Sequence, residues 1–546
     1  MITIDDLSFR YHADSPLILE GIRLNIGEGE RVLIAGKNGA GKTTLSKILS
    51  GLIPRVESGI LKGRYSYRNQ PVSEYPPKEF VREIAVLFQD FEAQIVSTRV
   101  REELVFYPMN TGLPYFKAIE IARKLCAAFQ AETLFDREID GLSGGEKQKT
   151  ALLSLLTASP GMLILDEPFT DVDPASQELI LDFIRHGGYR GGIVVLDQSL
   201  DYHAFFDRII LIGNGKILFD GDHKVIADSM LLSRAGLEAS GIYKAVDCGY
   251  TPESEIILRH IRNSRVFDED AYEAMISPPQ SPGETLVEVL ALSFKYPESA
   301  MTLTHIDLDI RAGDFITLLG ANGSGKTTLM KLIAGILDAR EGDIRYQGKS
   351  LKAFPVAGKV GYVYQNPDNQ IFAETVFDET AFILRMRGMA ETEIRERVDA
   401  ILINMGLFDR KQADPFCLPK GDRQKVACAA ILAGEPDLMI FDEPTTGLDH
   451  PSLKGLMESV ALLNRNGKTI IIITHSMVTA ADYGNKVLAM RNGEVIYYGD
   501  KRLFFTDDHL VDLAKARRTE IMEMSLKLNG KLLLNEKEFL RCWKKR

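Results

Sequence analysis

No apolar run in the 546-residue chain approaches the ~20 residues a membrane-spanning helix needs, so a channel, if the chain serves one, comes from other polypeptides. Basic residues are outnumbered, 65 Lys and Arg against 76 Asp and Glu, for a formal net charge of −11. A groove that tracks nucleic acid needs a basic footprint, and this balance argues against one as the main surface. Cysteine is scarce: Cys126, Cys248, Cys417, Cys428 and Cys542 show no C-x-x-C spacing. They read as reduced thiols of a cytosolic protein rather than a metal or disulfide set. The first residues, MITIDDLSFRYH, carry acids and no apolar stretch, so no signal peptide is expected there. The remaining composition, 45% hydrophobic and 26% charged, is that of an ordinary soluble protein too long for one core.

What is present is a repeat. Gly36–Thr44 reads GKNGAGKTT and Gly320–Thr328 reads GANGSGKTT, both satisfying G-x-x-x-x-G-K-[ST], with Lys42 and Lys326 284 positions apart. Each follows an apolar run (Arg31–Ala35, Phe315–Leu319) and opens an amphipathic helix. Gly36, Gly39 and Gly41, with Gly320, Gly323 and Gly325, let the backbone bend so that consecutive N–H groups face an anion. Asn38, Thr44, Asn322 and Thr328 complete the two loops. The pattern predicts that Lys42 and Lys326 reach the β- and γ-phosphates of a nucleotide and that Thr43 and Thr327 hold Mg²⁺.

Further signals recur in the same order. Residues 1–30 alternate apolar and polar, which predicts antiparallel strands, the first ending at Tyr11; Tyr296 occupies the same place in the second half. An aromatic there can stack on a nucleotide base or simply lie at a strand edge. Ile84–Phe88 and Val360–Tyr364 read as strands ending at Gln89 and Gln365. A Gln so placed can supply an oxygen to Mg²⁺ or to an attacking water. The plainer alternative is a polar strand terminator, and recurrence favours the functional reading. Tyr115–Ala131 and Glu391–Met405 follow as amphipathic helices. They lead to LSGGE (Leu142–Glu146) then KQK, and to LPKGD (Leu418–Asp422) then RQK. Twenty-three residues after Ser143 and Pro419 come Asp166-Glu167 behind MLIL and Asp442-Glu443 behind LMIF. The first acid of each pair suits Mg²⁺ through water, and the second suits polarising a water for attack on a γ-phosphate. Strands Ile193–Leu196 and Ile470–Ile473 then lead into Asp197-Gln198-Ser199 and Thr474-His475-Ser476. Residues 229–285, with Pro-rich Ser277–Glu284, read as a small helical appendage and linker. Residues 504–546 read as an extension whose closing RCWKKR is a solvated tail, or a basic patch for anionic lipid.

Phosphate loop, Gln loop, LSGGE, acidic pair and His-bearing strand, twice in this order, resemble the ATP-binding cassette ATPases over about residues 1–225 and 286–503. The resemblance implies an α/β chain with two cassettes at 1–228 and 286–503, an appendage at 229–285 and an extension at 504–546. Each cassette would combine a RecA-like parallel-sheet core, an antiparallel β subdomain and a helical signature subdomain. ATP and Mg²⁺ are the implied ligands and ATP hydrolysis the implied activity. Gln365–Phe372, QNPDNQIF, is similar to the Gln-loop segment of energy-coupling factor transporter ATPases, and Gln89–Val96, QDFEAQIV, is a looser version. That family powers uptake of vitamins and metal ions, and its partners would be a transmembrane scaffold subunit and a substrate-binding membrane subunit. The chain would lie on the cytoplasmic face of the membrane. A fused sugar-importer ATPase is the nearest rival. A soluble tandem-cassette translation factor would have a basic charge and an Arg/Lys-rich helical linker. A DNA-repair cassette protein would carry cysteine pairs or an inserted coiled coil. None of these features is in the sequence.

In cassette ATPases the halves pair head to tail, which sorts the motifs into two unequal sites. Site one would join Lys326, Thr327, Gln365, Asp442, Glu443 and His475 with Ser143, Gly144 and Gly145, each residue of the family kind. Site two would join Lys42, Thr43, Gln89, Asp166 and Glu167 with Pro419, Lys420 and Gly421. It departs from the family pattern where Gln198 stands for His, Pro419 for Ser and Lys420 for Gly. Glu443 and His475 would act in turnover, while Glu167 and Gln198 would belong to a site that retains ATP.

Overall fold

The computed structural model describes residues 1–142, 144–169, 174–186, 189–200, 202–237, 254–276, 283–296, 302–351, 358–444 and 448–546. They form two compact units, Met1–Glu253 and Ser254–Arg546.

In the first unit, Leu19–Ile26, Ile2–Arg10, Ile60–Tyr67 and Gln70–Pro71 make an antiparallel sheet in that order. A second sheet runs Lys216–Gly221, Arg208–Gly213, Arg31–Ala35, Gly192–Asp197, Met162–Asp166, Ile84–Leu87. Its pairings are parallel except for the edge hairpin 208–221. Successive side chains of a strand face opposite ways, so the all-apolar strands VLIA, MLIL and IVVL bury both faces. Ile34, Ile164 and Val194 join a core with the antiparallel sheet and the helix Lys42–Leu49. Leu33, Leu165 and Val195 join another core with the helices Val100–Asn110, Tyr115–Ala128 and Gly144–Thr157.

The second unit repeats the plan. Its antiparallel sheet is Thr302–Arg311, Thr285–Lys295, Glu341–Tyr346, Lys349–Ser350. Its mostly parallel sheet is Val360–Val363, Leu438–Asp442, Thr469–Ile473, Phe315–Leu319, Lys486–Arg491, Glu494–Asp500. The α/β class and the two cassette architectures are therefore those the motifs imply. Element ends differ slightly. Tyr115–Ala128 stops short of Ala131 because Gln130 takes a left-handed φ of 50°. The strand before each Gln stops one residue early because Phe88 N and Tyr364 N bond instead to the side-chain oxygens of Gln94 (2.8 Å) and Gln370 (3.3 Å).

The C-terminal residues are not a solvated tail. Phe504 and Phe505 are buried in a core that includes Leu319, the last residue before the second phosphate loop. Trp543–Lys545 pairs antiparallel with Arg265–Phe267, and the helices Ser254–Ser264 and Glu269–Ile276 flank this ribbon. Arg265, itself buried, donates to the Trp543 carbonyl at 2.8 Å, and Trp543 stacks on Phe539 and edges onto Phe267. Lys544 pairs with Asp268 on the surface of this ribbon, and the basic side chains of the segment stay exposed while Cys542 and Trp543 are buried. Most of the Pro-rich stretch expected as linker, 277–282, lies outside the described residues. Among the described residues no helix is long and apolar enough to cross a membrane, and no group of three or more His, Cys, Asp or Glu could hold a metal ion.

Because Trp543 is the apolar centre of this ribbon, Trp543→Ala should cost the second unit on the order of 3 kcal/mol. The checks are urea unfolding and amide exchange at residues 265–267, which should lose protection ahead of the parallel sheet.

Candidate functional site

Each phosphate loop is tied to its surroundings at its last glycine. Gly41 and Gly325 cap the helices Lys42–Leu49 and Lys326–Ile333 with φ of 103° and 101°, a conformation that other residues rarely adopt. A Cβ at either would lie 2.7 Å from Leu19 Cδ2 or 2.5 Å from Leu303 Cδ2, so the antiparallel sheet closes tightly on the loop. Lys42 Nζ folds back to donate to the carbonyls of Gly36 (2.7 Å) and Lys37 (3.2 Å). Lys326 Nζ does the same to Gly320 (2.9 Å) and Ala321 (3.0 Å). Asn38, Gly39 and Gly323 lie at the exposed rim, with Asn322 half-buried beside it. Tyr11 Oη lies 3.4 Å from Thr44 Oγ1, and Tyr296 Oη 3.5 Å from Thr328 Oγ1, so both tyrosines reach the end of their loops.

The acidic pairs lie beside these lysines. Asp166 and Asp442 end buried strands, and the next residues, Glu167 and Glu443, turn left-handed with φ of 52° and 48°. Such backbone is strained for a non-glycine residue and persists only where its surroundings fix it. Here Glu167 N donates to Leu196 O (2.8 Å) and Glu443 N to Ile473 O (3.1 Å). The ladder register also settles the alignment of the next motif. Asp166 pairs with Leu196 and Asp442 with Ile473, so Gln198 and His475 stand at equivalent positions.

The two carboxylates meet different partners. Glu443 Oε1 lies 3.2 Å from His475 Nε2, and its Oε2 accepts from Gln365 Nε2 at 3.5 Å. Glu167 Oε1 lies 3.8 Å from Lys42 Nζ, both side chains only 4% exposed, and its Oε2 accepts from Gln89 Nε2 at 2.9 Å. Gln198 Oε1 is buried with no hydrogen-bond partner among the described residues. Burial pushes Glu443 up, but His475 and Lys326 outweigh it and hold the carboxyl below the usual glutamate value. In the first unit burial and the Glu167 charge push Asp166 up to about 6 and Asp197 up to about 7.

The donor set fits Mg²⁺. Asp166 lies beside the Thr43 and Ser46 hydroxyls, yet both of its oxygens are buried with no hydrogen bond of ordinary geometry among the described residues, an arrangement that a cation and its waters would satisfy. In the second unit Thr327 Oγ1 donates to Asp442 Oδ1 at 3.1 Å, which brings the two proposed oxygen donors together.

The signature segments begin helices in their own units. Gly144 opens Gly144–Thr157, while Ser143 lies outside the described residues. Pro419, with φ −55°, is the N-cap of Lys420–Ala433, so proline sits just ahead of the first turn and costs the helix nothing. Lys420 is half-buried in that turn, Gly144 is exposed, Gly145 is half-buried and Gly421 is buried against Ser452.

Sequence reading missed the residues that hold the Gln loops. Glu103 Oε2 accepts from Val96 N and Ser97 N (3.1 and 2.9 Å), and Glu379 Oε2 from Phe372 N and Ala373 N (3.0 and 2.8 Å). Their signal was the repeat itself, an acid 14 residues after Gln89 and again after Gln365. Tyr362 was also missed: its hydroxyl donates to Asp442 Oδ2 at 2.6 Å.

Asp197 generates a pH prediction. Its carboxyl is raised from the ordinary 3.8 to about 7 in the fold, so the unfolded chain loses that proton first as pH rises. Stability drawn from this group therefore falls between about pH 4 and 7 and is flat above. Asn can keep the bonds that Asp197 Oδ1 accepts from Gln198 N and Ser199 N, 2.7 and 3.0 Å. In nucleotide-free thermal melts Asp197→Asn should raise Tm at pH 8 and lose that advantage as pH approaches 4.

A model of the ABC transporter family matches residues 19–170 and 303–446. A putative ABC transporter ATP-binding protein of Caldanaerobacter subterraneus subsp. tengcongensis is 38% identical, the match covering 100% of this chain and 99% of that one. A second, from Methanosarcina mazei, is 33% identical over 94% of this chain and 91% of its own. A solved structure, cbiO1 from Clostridium perfringens, described as part of the ABC transporter complex cbiONQ, is 31% identical. It covers 42% of this chain and 94% of that chain, with a TM-score of 0.39. The chain belongs to the ABC transporter family, as one ATP-hydrolysing polypeptide with two ATP-binding cassettes.

Proposed function

We propose that the chain is the motor of a membrane importer and that its two ATP sites are unequal, one turning over and one retaining nucleotide. The observation that carries the inequality is the partner of each second carboxylate: His475 beside Glu443, Lys42 beside Glu167. On this reading the halves pair head to tail, each phosphate loop facing the other half's signature segment. Glu443 orients and deprotonates the attacking water, and His475 keeps Glu443 ionised and in place. Mg²⁺, when bound, neutralises charge on the β- and γ-phosphate oxygens. Lys326 cradles the phosphates, Gln365 steadies Glu443, and Gly144 and Gly145 offer backbone N–H groups with Ser143 to the γ-phosphate.

In the other site Glu167 is held by Lys42 and Gln89, Gln198 offers no imidazole, and Pro419 offers neither hydroxyl nor N–H. Lys420 adds charge near the bound phosphates, which favours retention. Tyr11 and Tyr296 would stack on the adenines. The cassettes would span 1–228 and 286–503, with 254–276 and 504–546 as an accessory module of the second.

The importer reading rests on the Gln loops. In the second unit Phe372, Phe382 and Met386 are 61%, 45% and 70% exposed, and the two rings meet edge to face at 4.8 Å. Val96, Phe106 and Met109 do the same in the first unit at 59%, 47% and 45%. Such patches suit apolar partners, here the cytoplasmic ends of a transmembrane scaffold subunit. QNPDNQIF favours the energy-coupling factor type, carrying a vitamin or metal ion bound by a separate membrane subunit.

Glu443→Gln should cut steady-state ATPase activity by roughly 10²–10⁴-fold, and Glu167→Gln by far less; equal losses would remove the asymmetry. Purification of the tagged chain from detergent-solubilised membranes should bring down a scaffold and a small substrate-binding membrane protein. A permease pair with a soluble binding protein would instead identify a sugar-importer type.

A further inference from the structure

The two Mg²⁺-facing aspartates are not held alike. In the second unit Tyr362 pairs with Ile440 across the parallel ladder, two residues before Asp442 on the same face of the strand. From there its hydroxyl donates to Asp442 Oδ2 at 2.6 Å, while Thr327 donates to Oδ1 at 3.1 Å. Two donors from two different elements thus fix the plane of a carboxylate that is 6% exposed. In the first unit the same ladder position, opposite Ile164, is Val86. Valine cannot donate, so Asp166 has no counterpart of the Tyr362 hydroxyl; the Thr43 and Ser46 hydroxyls lie near it, but neither makes a hydrogen bond of ordinary geometry to its oxygens.

We propose that Tyr362 is a positioning residue for divalent-metal binding in the second unit: by holding Asp442 in one orientation it makes that unit the tighter metal site. The proposal rests on the reading that Asp442 holds the ion. The physical basis is preorganisation. A buried carboxylate already anchored by hydrogen bonds binds a cation or its waters without first losing rotational freedom. Removing such an outer donor typically weakens a metal site by roughly 10–100-fold. Asp166 lacks the tyrosine anchor, so more of its orientation is fixed only as the ion arrives, and its site is weaker even though the ligand residue types are the same. Tyr362 also packs in the core between the phosphate-loop helix and the antiparallel sheet. A test must therefore keep the ring and remove only the hydroxyl.

The experiment is Mn²⁺ titration of the full-length chain with a non-hydrolysable ATP analogue, free Mn²⁺ being read from its electron paramagnetic resonance signal. The wild type should show two classes of bound ion. Tyr362→Phe should weaken the tighter class roughly tenfold and leave the other where it was. Tyr364→Phe, which alters the neighbouring ring packed against Tyr362 at 5.0 Å, should change neither. The proposal is overturned if Tyr362→Phe moves neither class, if it moves both by the same factor, or if Tyr364→Phe reproduces its effect. It is overturned too if Tyr362→Phe weakens analogue binding equally in EDTA, which marks a packing role. Asp442→Asn separates the two levels. A tight class that survives it refutes the metal assignment itself, whereas one lost there but unmoved by Tyr362→Phe refutes only the role of the tyrosine.

Discussion

Each half of this protein is organised around a buried parallel strand that ends in two adjacent carboxylates. The strand has to be apolar on both faces, because one side carries the phosphate-loop helix and the other the helical layer. Its end delivers an aspartate to the loop threonine, and the following glutamate is bent left-handed to face the loop lysine. Two negative groups that close together in a buried setting are costly unless cations or donors answer them. How each half meets that cost decides what it can do.

The second half answers with neutral and switchable partners. Tyr362 and Thr327 satisfy Asp442, and His475 and Gln365 attend Glu443, with the Lys326 charge also lowering the pKa of that glutamate. The first half lacks the tyrosine and the histidine. There Lys42 lies against Glu167, Asp166 has no tyrosine and makes no hydrogen bond of ordinary geometry among the described residues, and Asp197 adds a third buried acid where the second half has Thr474. Burial first, and then the nearby Glu167 charge, raise the pKa values of Asp166 and Asp197. The same fold therefore presents one glutamate paired with a histidine and one paired with a lysine beside two further buried acids.

Most of the architecture was legible in the sequence because the signals were local and repeated: glycines in the phosphate loops, apolar strands ahead of acids, and constant spacing between motifs. Gln198 lies 32 residues after Asp166 and His475 33 after Asp442, and the ladder that pairs Asp166 with Leu196 and Asp442 with Ile473 shows that the two positions are equivalent all the same. What stayed illegible depended on contacts between distant segments. RCWKKR reads as a polar tail until its tryptophan is seen pairing with a strand 276 residues earlier, Phe267 opposite Trp543. Tyr362 reads as one more aromatic in a strand, since nothing in its neighbours states that its hydroxyl points at an acid 80 positions away.

The claim that one site turns over while the other retains its nucleotide is tested most directly by counting. The full chain, loaded with radiolabelled ATP and Mg²⁺, passed through one round of hydrolysis and rapidly desalted, should hold one ADP-bearing site and one intact ATP per polypeptide. Recovery of two ADP per chain, with no ATP surviving the round, would contradict the account.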